Sequence, residues 1–456
     1  MPGVLKPSSG APAGPTIAII GAGASGTLLA RALWRRGQGC VLVEAGSVPG
    51  PGLAYATRHP EHVLNVRAGA MGADADRPEH FIDWLRARDP SADAADFVPR
   101  GLYGRYLRAL LDEAAPQVRQ ARAMGLRRAA RGWAVTLDGG GTVLADEVVL
   151  ALGHLPPAPL PCPADDPTGD PTLGGHLHPD PWRLRLPGGI GAEAEVVLVG
   201  AGLTAVDTVL ALRAGGHRGR LVALSRHGRL PQAHRTVTPL AAPAVPPGTP
   251  PGALALLVAL RRAIAGGADW RAAVDSLRPV SNALWQAAPE AERARFQRHL
   301  RHRWEVARHR MAPAVADEID RLRAQGVLDL RRGRVEALRR DAGGDGLVIE
   351  ARGPEGAFAL RADHAICCTG TSLRYGQGGC ALASALFAQG LARPGRDGIG
   401  FALTAEGRIE DAQGAPVAGL WAIGPARLGA LFESSAIPEI RQQAAALAAR
   451  LTGAAG

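Results

Sequence analysis

Three features of the 456-residue chain predict an α/β fold built on two parallel sheets. An apolar run starting at Thr16 leads into a glycine-rich turn and a helical pattern, and the same succession begins again at Glu195. A strand ending in glycine follows each copy, ADEVVLALG at 145–153 and ADHAICCTG at 362–370. Two Rossmann-like dinucleotide-binding domains, the second carrying a helical insertion, account for all three.

The first fifteen residues are rich in Pro, Gly and Ser and read as a disordered leader, without the basic and apolar regions of a secretion signal. Thr16–Ile20 is a short apolar run of the buried parallel type. Gly21-Ala-Gly-Ala-Ser-Gly26 follows at once, a GxGxxG pattern placed where a strand gives way to a helix. Leu28, Leu29, Ala32 and Leu33 share one face of a helix from Ser25 to Arg36, Gly37 ends it, and Cys40–Glu44 supplies the next strand. Gly21 permits the tight turn, Gly23 lets a pyrophosphate approach the helix N-terminus opened by Ser25, and Gly26 allows close helix–strand packing. Glu44, at the end of the second strand, can accept hydrogen bonds from a ribose.

The second copy runs from the strand Glu195–Val199 through Gly200-Ala-Gly-Leu-Thr-Ala205 into a helix from Leu203 to Arg213. Gly200, Gly202 and Thr204 occupy its turn. The following strand, Leu221–Leu224, ends in Ser225-Arg226-His227 and carries no acid. Ser225 and Arg226 can pair with a 2′-phosphate, which favours NADP over NAD; the bland reading is that Arg226 is one surface arginine among many. Thr369 and Gly370 close the second return strand, and Gly419–Gly424 forms a further strand before a helix from Ile437 to Leu451. The resulting division is 16–190 and 363–456 for the first domain and 191–362 for the second, with the helical insertion at 230–326.

Composition narrows the chemistry. Hydrophobic residues are 46% and charged residues 21%, a globular balance. The net charge of +10 is carried almost entirely by arginine, and Lys6, in the leader, is the only lysine. A lysine Schiff base or a phosphate-cradling Walker lysine is therefore excluded from the folded part. The five cysteines form neither a Cys-x-x-Cys nor a zinc spacing, so no metal site and no redox-active disulfide is signalled. The absence of a long apolar run speaks against a membrane span, and a cytoplasmic location is expected.

Two dinucleotide units, the first ending in Glu and the second in Ser-Arg, resemble the flavoproteins in which the first unit holds FAD and the second NAD(P)H. Gly419–Gly424 is similar to the strand that carries the flavin's ribityl chain there, with Gly424 beside it, although Pro425 stands where an aspartate is usual. The sequence also resembles a bacterial family of FAD-NAD(P)-binding proteins. That likeness is carried by Gly52–Ala56, His62–Val66 with Met71 and Pro78–Phe81, Gly200–Asp207, His309–Pro313, and Phe432–Ala436 with Arg441–Gln443. FAD and NADPH are the implied cofactors.

Among relatives of known chemistry the resemblance extends to class B flavin monooxygenases. Asn65, six residues before Met71, is similar to an asparagine lying beside the flavin's reactive edge in that class. A neutral amide there can donate to reduced oxygen without offering a strong acid; the alternative is an asparagine capping a turn. Gly174-xxx-His178-xxx-Trp182 matches most of the Baeyer–Villiger fingerprint, with Thr172 in place of its leading aromatic. His178 and Trp182 would then couple coenzyme binding to flavin access, unless the match is one of composition.

Within the helical region, Phe296, Leu300, Trp304, Ala307 and Met311 follow a helical stripe expected to be core. Arg295, Arg298, Arg301, Arg303, Arg308 and Arg310, with His299, His302 and His309, form either a solvated face or a clamp for a coenzyme phosphate or substrate carboxylate. The strip lacks interleaved exposed aromatics, so nucleic acid is not an expected partner. The expectation is an FAD- and NADPH-dependent oxidoreductase, a monooxygenase using O₂ on a small molecule such as an amine or amino acid. The alternatives are a flavin-dependent dehydrogenase or reductase that does not use O₂, and a non-catalytic flavin-binding protein.

Overall fold

The computed structural model describes residues 14–162, 170–184 and 189–453. Lys6 and most of the leader lie outside them. The chain forms two compact units, one from residues up to Pro60 with Val66–Leu155 and Ser372 onward, the other from Glu61–Asn65 and Pro156–Thr371.

The first unit opens with β1 (Ile17–Ile20), α1 (Ala24–Trp34), β2 (Val41–Glu44), α2 (Gly52–Tyr55), α3 (His80–Arg86) and α4 (Arg100–Ala114). It continues through β3 (Gln117–Gln120), β4 (Ala123–Arg128), β5 (Trp133–Leu137), β6 (Thr142–Ala145) and β7 (Glu147–Leu150). All four residues of β1 are buried, as an apolar run between two parallel neighbours must be. β4, β5 and β6 form a separate antiparallel sheet.

The second unit contains β8 (Leu177–His178), β9 (Val196–Val199), α5 (Leu203–Ala214) and β10 (Leu221–Ser225). Six helices follow: α6 (Ala253–Ala265), α7 (Trp270–Asp275), α8 (Ser281–Ala287), α9 (Glu290–His299), α10 (Arg301–Arg308) and α11 (Pro313–Ala324). Then come β11 (Leu328–Arg332), β12 (Arg334–Arg340), β13 (Leu347–Gly353), β14 (Gly356–Ala362) and β15 (His364–Cys367). The parallel sheet runs β11-β10-β9-β15-β8, and β12, β13 and β14 make an antiparallel sheet. The chain then re-enters the first unit with α12 (Ala381–Ala388), β16 (Arg408–Glu410), β17 (Pro416–Ala422) and α13 (Ile437–Leu451), completing a sheet of order β16-β17-β7-β1-β2-β3.

The divisions between units fall at 155/156 and 371/372, whereas the sequence suggested 190/191 and 362/363. The reason is pairing: β15 adds to β9 and β8 adds to β15, so Leu177–His178 and the return strand at 362–370 both belong to the second sheet. The Phe296–Met311 stripe is also not one core face. The helix breaks at Leu300 between α9 and α10, and Phe296, Leu300, Trp304 and Ala307 are half-buried, while Met311 alone of the five is buried. Among the basic residues there, Arg310 is buried against Asp275 and is not part of a solvated face.

A buried ion pair fastens α1 to the loop after Met71: Arg31 holds Asp74 bidentately at 2.7 and 3.0 Å and reaches Glu113 on α4 at 2.7 Å. Among the described residues no helix is long and apolar enough to cross a membrane.

Candidate functional sites

Each parallel sheet delivers a glycine turn to the N-terminus of a helix. In the first unit Gly21 has φ +105°, and a Cβ there would lie 2.4 Å from the Ala151 carbonyl oxygen, so only glycine fits between β1 and the end of β7. A Cβ on Gly26 would sit 2.0 Å from the Gly21 carbonyl oxygen, which is the close helix–strand contact the spacing implied. Gly23 is the N-cap of α1, and among the described residues no side chain caps the first-turn N–H groups of that helix. Uncapped N–H groups at the positive end of a helix suit a pyrophosphate. The backbone of Gly52 lines the same turn, 3.4 Å from where a Gly23 Cβ would stand.

Glu44 closes this site. Its carboxylate accepts from the Ala22 and Gly46 N–H groups, both at 2.6 Å, and so is held at the mouth of the glycine turn. Gly424, with φ +71°, lies against Ser25 in the first turn of α1. Its N–H donates to Gln443 Oε1 at 2.9 Å and its carbonyl accepts from the Ser434 hydroxyl at 2.6 Å. Gln443 Nε2 in turn donates to Ser434 Oγ at 2.9 Å. This gives Ser434 and Gln443 a use that their sequence signal did not define: they fix the turn carrying Gly424 to α13 and the segment before it. Pro425 is buried in that turn as its second residue, among the first N–H positions that have no partner within a helix, so its missing N–H costs little.

The second unit repeats the arrangement. Gly200 has φ +128°, and a Cβ would lie 2.2 Å from the Cys368 carbonyl oxygen. Gly202 caps α5, again without a side-chain cap, and a Cβ there would meet nothing within 4 Å. The glycine at 202 therefore answers no packing demand, and the space beside it is open to a phosphate group. Thr204 lies in the first turn of α5 and is half-buried. Gly370 has φ +89° with open space around it, and Thr369 Oγ1 lies 3.3 Å from Cys367 Sγ. Ser225 Oγ accepts from the Gly228 N–H at 3.1 Å, shaping the turn that carries the exposed Arg226.

The three remaining sequence candidates also lie in the second unit. The Asn65 carbonyl accepts from His234 Nε2 at 3.0 Å, and among the described residues its side-chain amide makes no capping bond to the turn. Trp182 packs edge-on against His62, ring centroids 6.1 Å apart, and buried His62 is anchored through Nε2 on the Asp207 carbonyl at 2.9 Å. His62 thus ties the segment bearing Asn65 to Trp182, a link with no signal in local sequence. His178 faces elsewhere: it sits in β8 opposite Ile366, its Nε2 3.2 Å from His364 Nδ1. Burial, with His364 and His176 adding to it, lowers the His178 imidazole to about 4, so it is neutral at neutral pH.

The FAD-NAD(P)-binding family matches residues 18–155. No curated protein sequence matches the chain. Among solved structures, the ornithine N-hydroxylase of Kutzneria sp. 744, described with reduced FAD, NADP⁺ and L-ornithine, superposes with a TM-score of 0.65 at 15% identity, covering 96% of this chain and 99% of that one. The L-lysine 6-monooxygenase of Pseudomonas syringae gives 0.65 at 17% identity, covering 97% and 100%. A bacillithiol disulfide reductase of Staphylococcus aureus gives 0.58 at 11% identity, covering 97% and 99%. Residues 18–155 thus match the FAD-NAD(P)-binding family, and the chain that contains them has the fold these N-hydroxylases and this disulfide reductase share.

Proposed function

We propose that the protein is an FAD-dependent, NADPH-using monooxygenase that oxygenates a small molecule, with the nitrogen of an amine or amino acid as the preferred target. The observation that carries this reading is the pair of uncapped glycine-turn helices, one per parallel sheet, in a fold matched over nearly its full length by N-hydroxylases. FAD, when bound, supplies the electron transfer and the reaction with O₂.

The chain's own residues bind and orient. Gly21, Gly23, Ser25, Gly26 and Glu44 would hold the FAD pyrophosphate and ribose, with Gly424 under the ribityl chain. Gly200, Gly202, Thr204, Thr369 and Gly370 would hold the coenzyme pyrophosphate, with Ser225 and Arg226 selecting the 2′-phosphate. Asn65 is proposed as a neutral hydrogen-bond donor to reduced oxygen, and His178 and Trp182 as positioning residues.

Disulfide reduction through a protein dithiol finds less support, because the five cysteines contain no Cys-x-x-Cys pair and the adjacent Cys367 and Cys368 are both buried. Anaerobic mixing with NADPH, followed by O₂ and a panel of amines and amino acids, tests the reading. Flavin bleaching by NADPH and amine-dependent formation of an N-oxygenated product are expected. Turnover that proceeds without O₂ would establish a dehydrogenase or reductase instead, and bound flavin that NADPH leaves oxidised would point to a non-catalytic flavin-binding protein.

A further inference from the structure

At the end of β10 the ring of His227 stacks on that of His302 from α10, centroids 3.8 Å apart and planes inclined by 17°. The other charged groups acting on these two rings are Arg226 and Arg229 from the turn after β10, Arg303 from α10 and Arg332 from the end of β11. Arg332 arrives there because it is the parallel partner of Ser225. Glu305, the acid on α10, is engaged by His309 at 2.6 Å and by Arg301 at 3.2 Å.

Desolvation lowers both imidazoles from their ordinary range, although His227 is exposed, and the neighbouring cations push the same way. The neutral form of the pair is therefore favoured, with four guanidinium groups acting on it. A phosphate monoester carries close to two negative charges at pH 7 and reverses the field on both rings. We propose that α10 completes the coenzyme 2′-phosphate site, and that the His227–His302 pair takes up a proton as the phosphate of NADP(H) enters between β10 and α10. This rests on the NADPH reading above and adds to it a proton-coupled selector drawn from the helical region.

The test is calorimetric binding of NADP⁺ and NAD⁺ to the full-length, flavin-loaded protein between pH 8 and 6.5, in buffers of different ionisation enthalpy. NADP⁺ should bind with net proton uptake and roughly 3- to 10-fold more tightly at the lower pH, within the tenfold-per-unit limit for one proton. NAD⁺ should show neither effect. A site made of arginines alone would hold the phosphate as its dianion and release protons near its own pKa, so the sign of the proton flux separates the two cases. His302→Gln should abolish the uptake and the pH dependence while NAD⁺ affinity and bound FAD stay unchanged. Arg303→Gln should weaken NADP⁺ at every pH. Proton release by the parent protein, or a His302→Gln variant indistinguishable from it, overturns the proposal. NADP⁺ binding no tighter than NAD⁺ at any pH removes the NADPH reading itself, whereas a strong NADP⁺ preference without proton uptake removes the inference alone.

Discussion

Gly424 and Ser25 approach so closely that a Cβ on Gly424 would lie 2.1 Å from the Ser25 hydroxyl oxygen and 2.9 Å from its Cβ. The glycine is held there at φ +71° by Gln443 and Ser434, so it cannot move away when its size changes. Gly424→Ala should therefore lower stability by about 1–3 kcal/mol, the scale of a non-glycine residue forced into that backbone region. It should also weaken FAD retention, since relief requires α1 or the 424–427 turn to shift. Denaturant unfolding and the flavin-to-protein absorbance ratio measure the two effects. Adding Ser25→Ala should recover only part of the loss, because the Cβ contact and the backbone strain remain.

The two glycine turns should be separable. Gly23→Leu places a bulky side chain where the pyrophosphate would approach the first-turn N–H groups of α1, and should abolish FAD retention. Gly202→Val acts in open space beside α5, so it should leave folding and FAD content intact while flavin reduction by NADPH falls by tenfold or more. Yellow, fully flavinated Gly23→Leu protein, or unimpaired reduction of Gly202→Val, would remove the corresponding site.

Why those glycines were legible while other features were not follows from where the information sits. Gly26 answers to a contact within its own strand–turn–helix unit, Gly21 and Gly200 take the positive φ of the local turn although the carbonyls they must clear, at Ala151 and Cys368, come from the return strands, and the helix Ile437–Leu451 coincides with its apolar periodicity. The Phe296–Met311 stripe misled because its period passes through Leu300, where the backbone leaves the helix. The partner of His178 is His364, and that of Trp182 is His62; neither pairing has a local signal, because each depends on which strands and segments the tertiary fold sets side by side. The cations around His227 arrive in the same way, through the register of β10 against β11.

Coenzyme choice should turn on Arg226. Exposed at the tip of the turn that Ser225 shapes, it is free to meet a 2′-phosphate, and Arg226→Ala should weaken NADPH by about 1.5–3 kcal/mol, the scale of a hydrogen bond to a charged group. NADH should be almost unaffected. Steady-state KM ratios for the two coenzymes check this, and equal losses for both would show that Arg226 does not read the phosphate.

Oxygen chemistry should depend on Asn65 through its side chain and not its backbone. The backbone carbonyl is already committed to His234, and the amide makes no capping bond among the described residues, so Asn65→Leu should leave folding, FAD content and NADPH-driven flavin reduction largely intact. If the amide is the donor to reduced oxygen, its loss should divert turnover from oxygenated product to hydrogen peroxide. A preorganised donor aimed at developing charge is worth about 2.7–4 kcal/mol, so product formation should fall by two to three orders of magnitude. Asn65→Asp keeps the shape while replacing the donor by a carboxylate that repels an anion, so it should uncouple as severely. The ratio of product formed to NADPH consumed, with peroxide quantified alongside, is the measurement. Wild-type coupling in both variants would make Asn65 structural, and its His234 bond would then be its whole contribution.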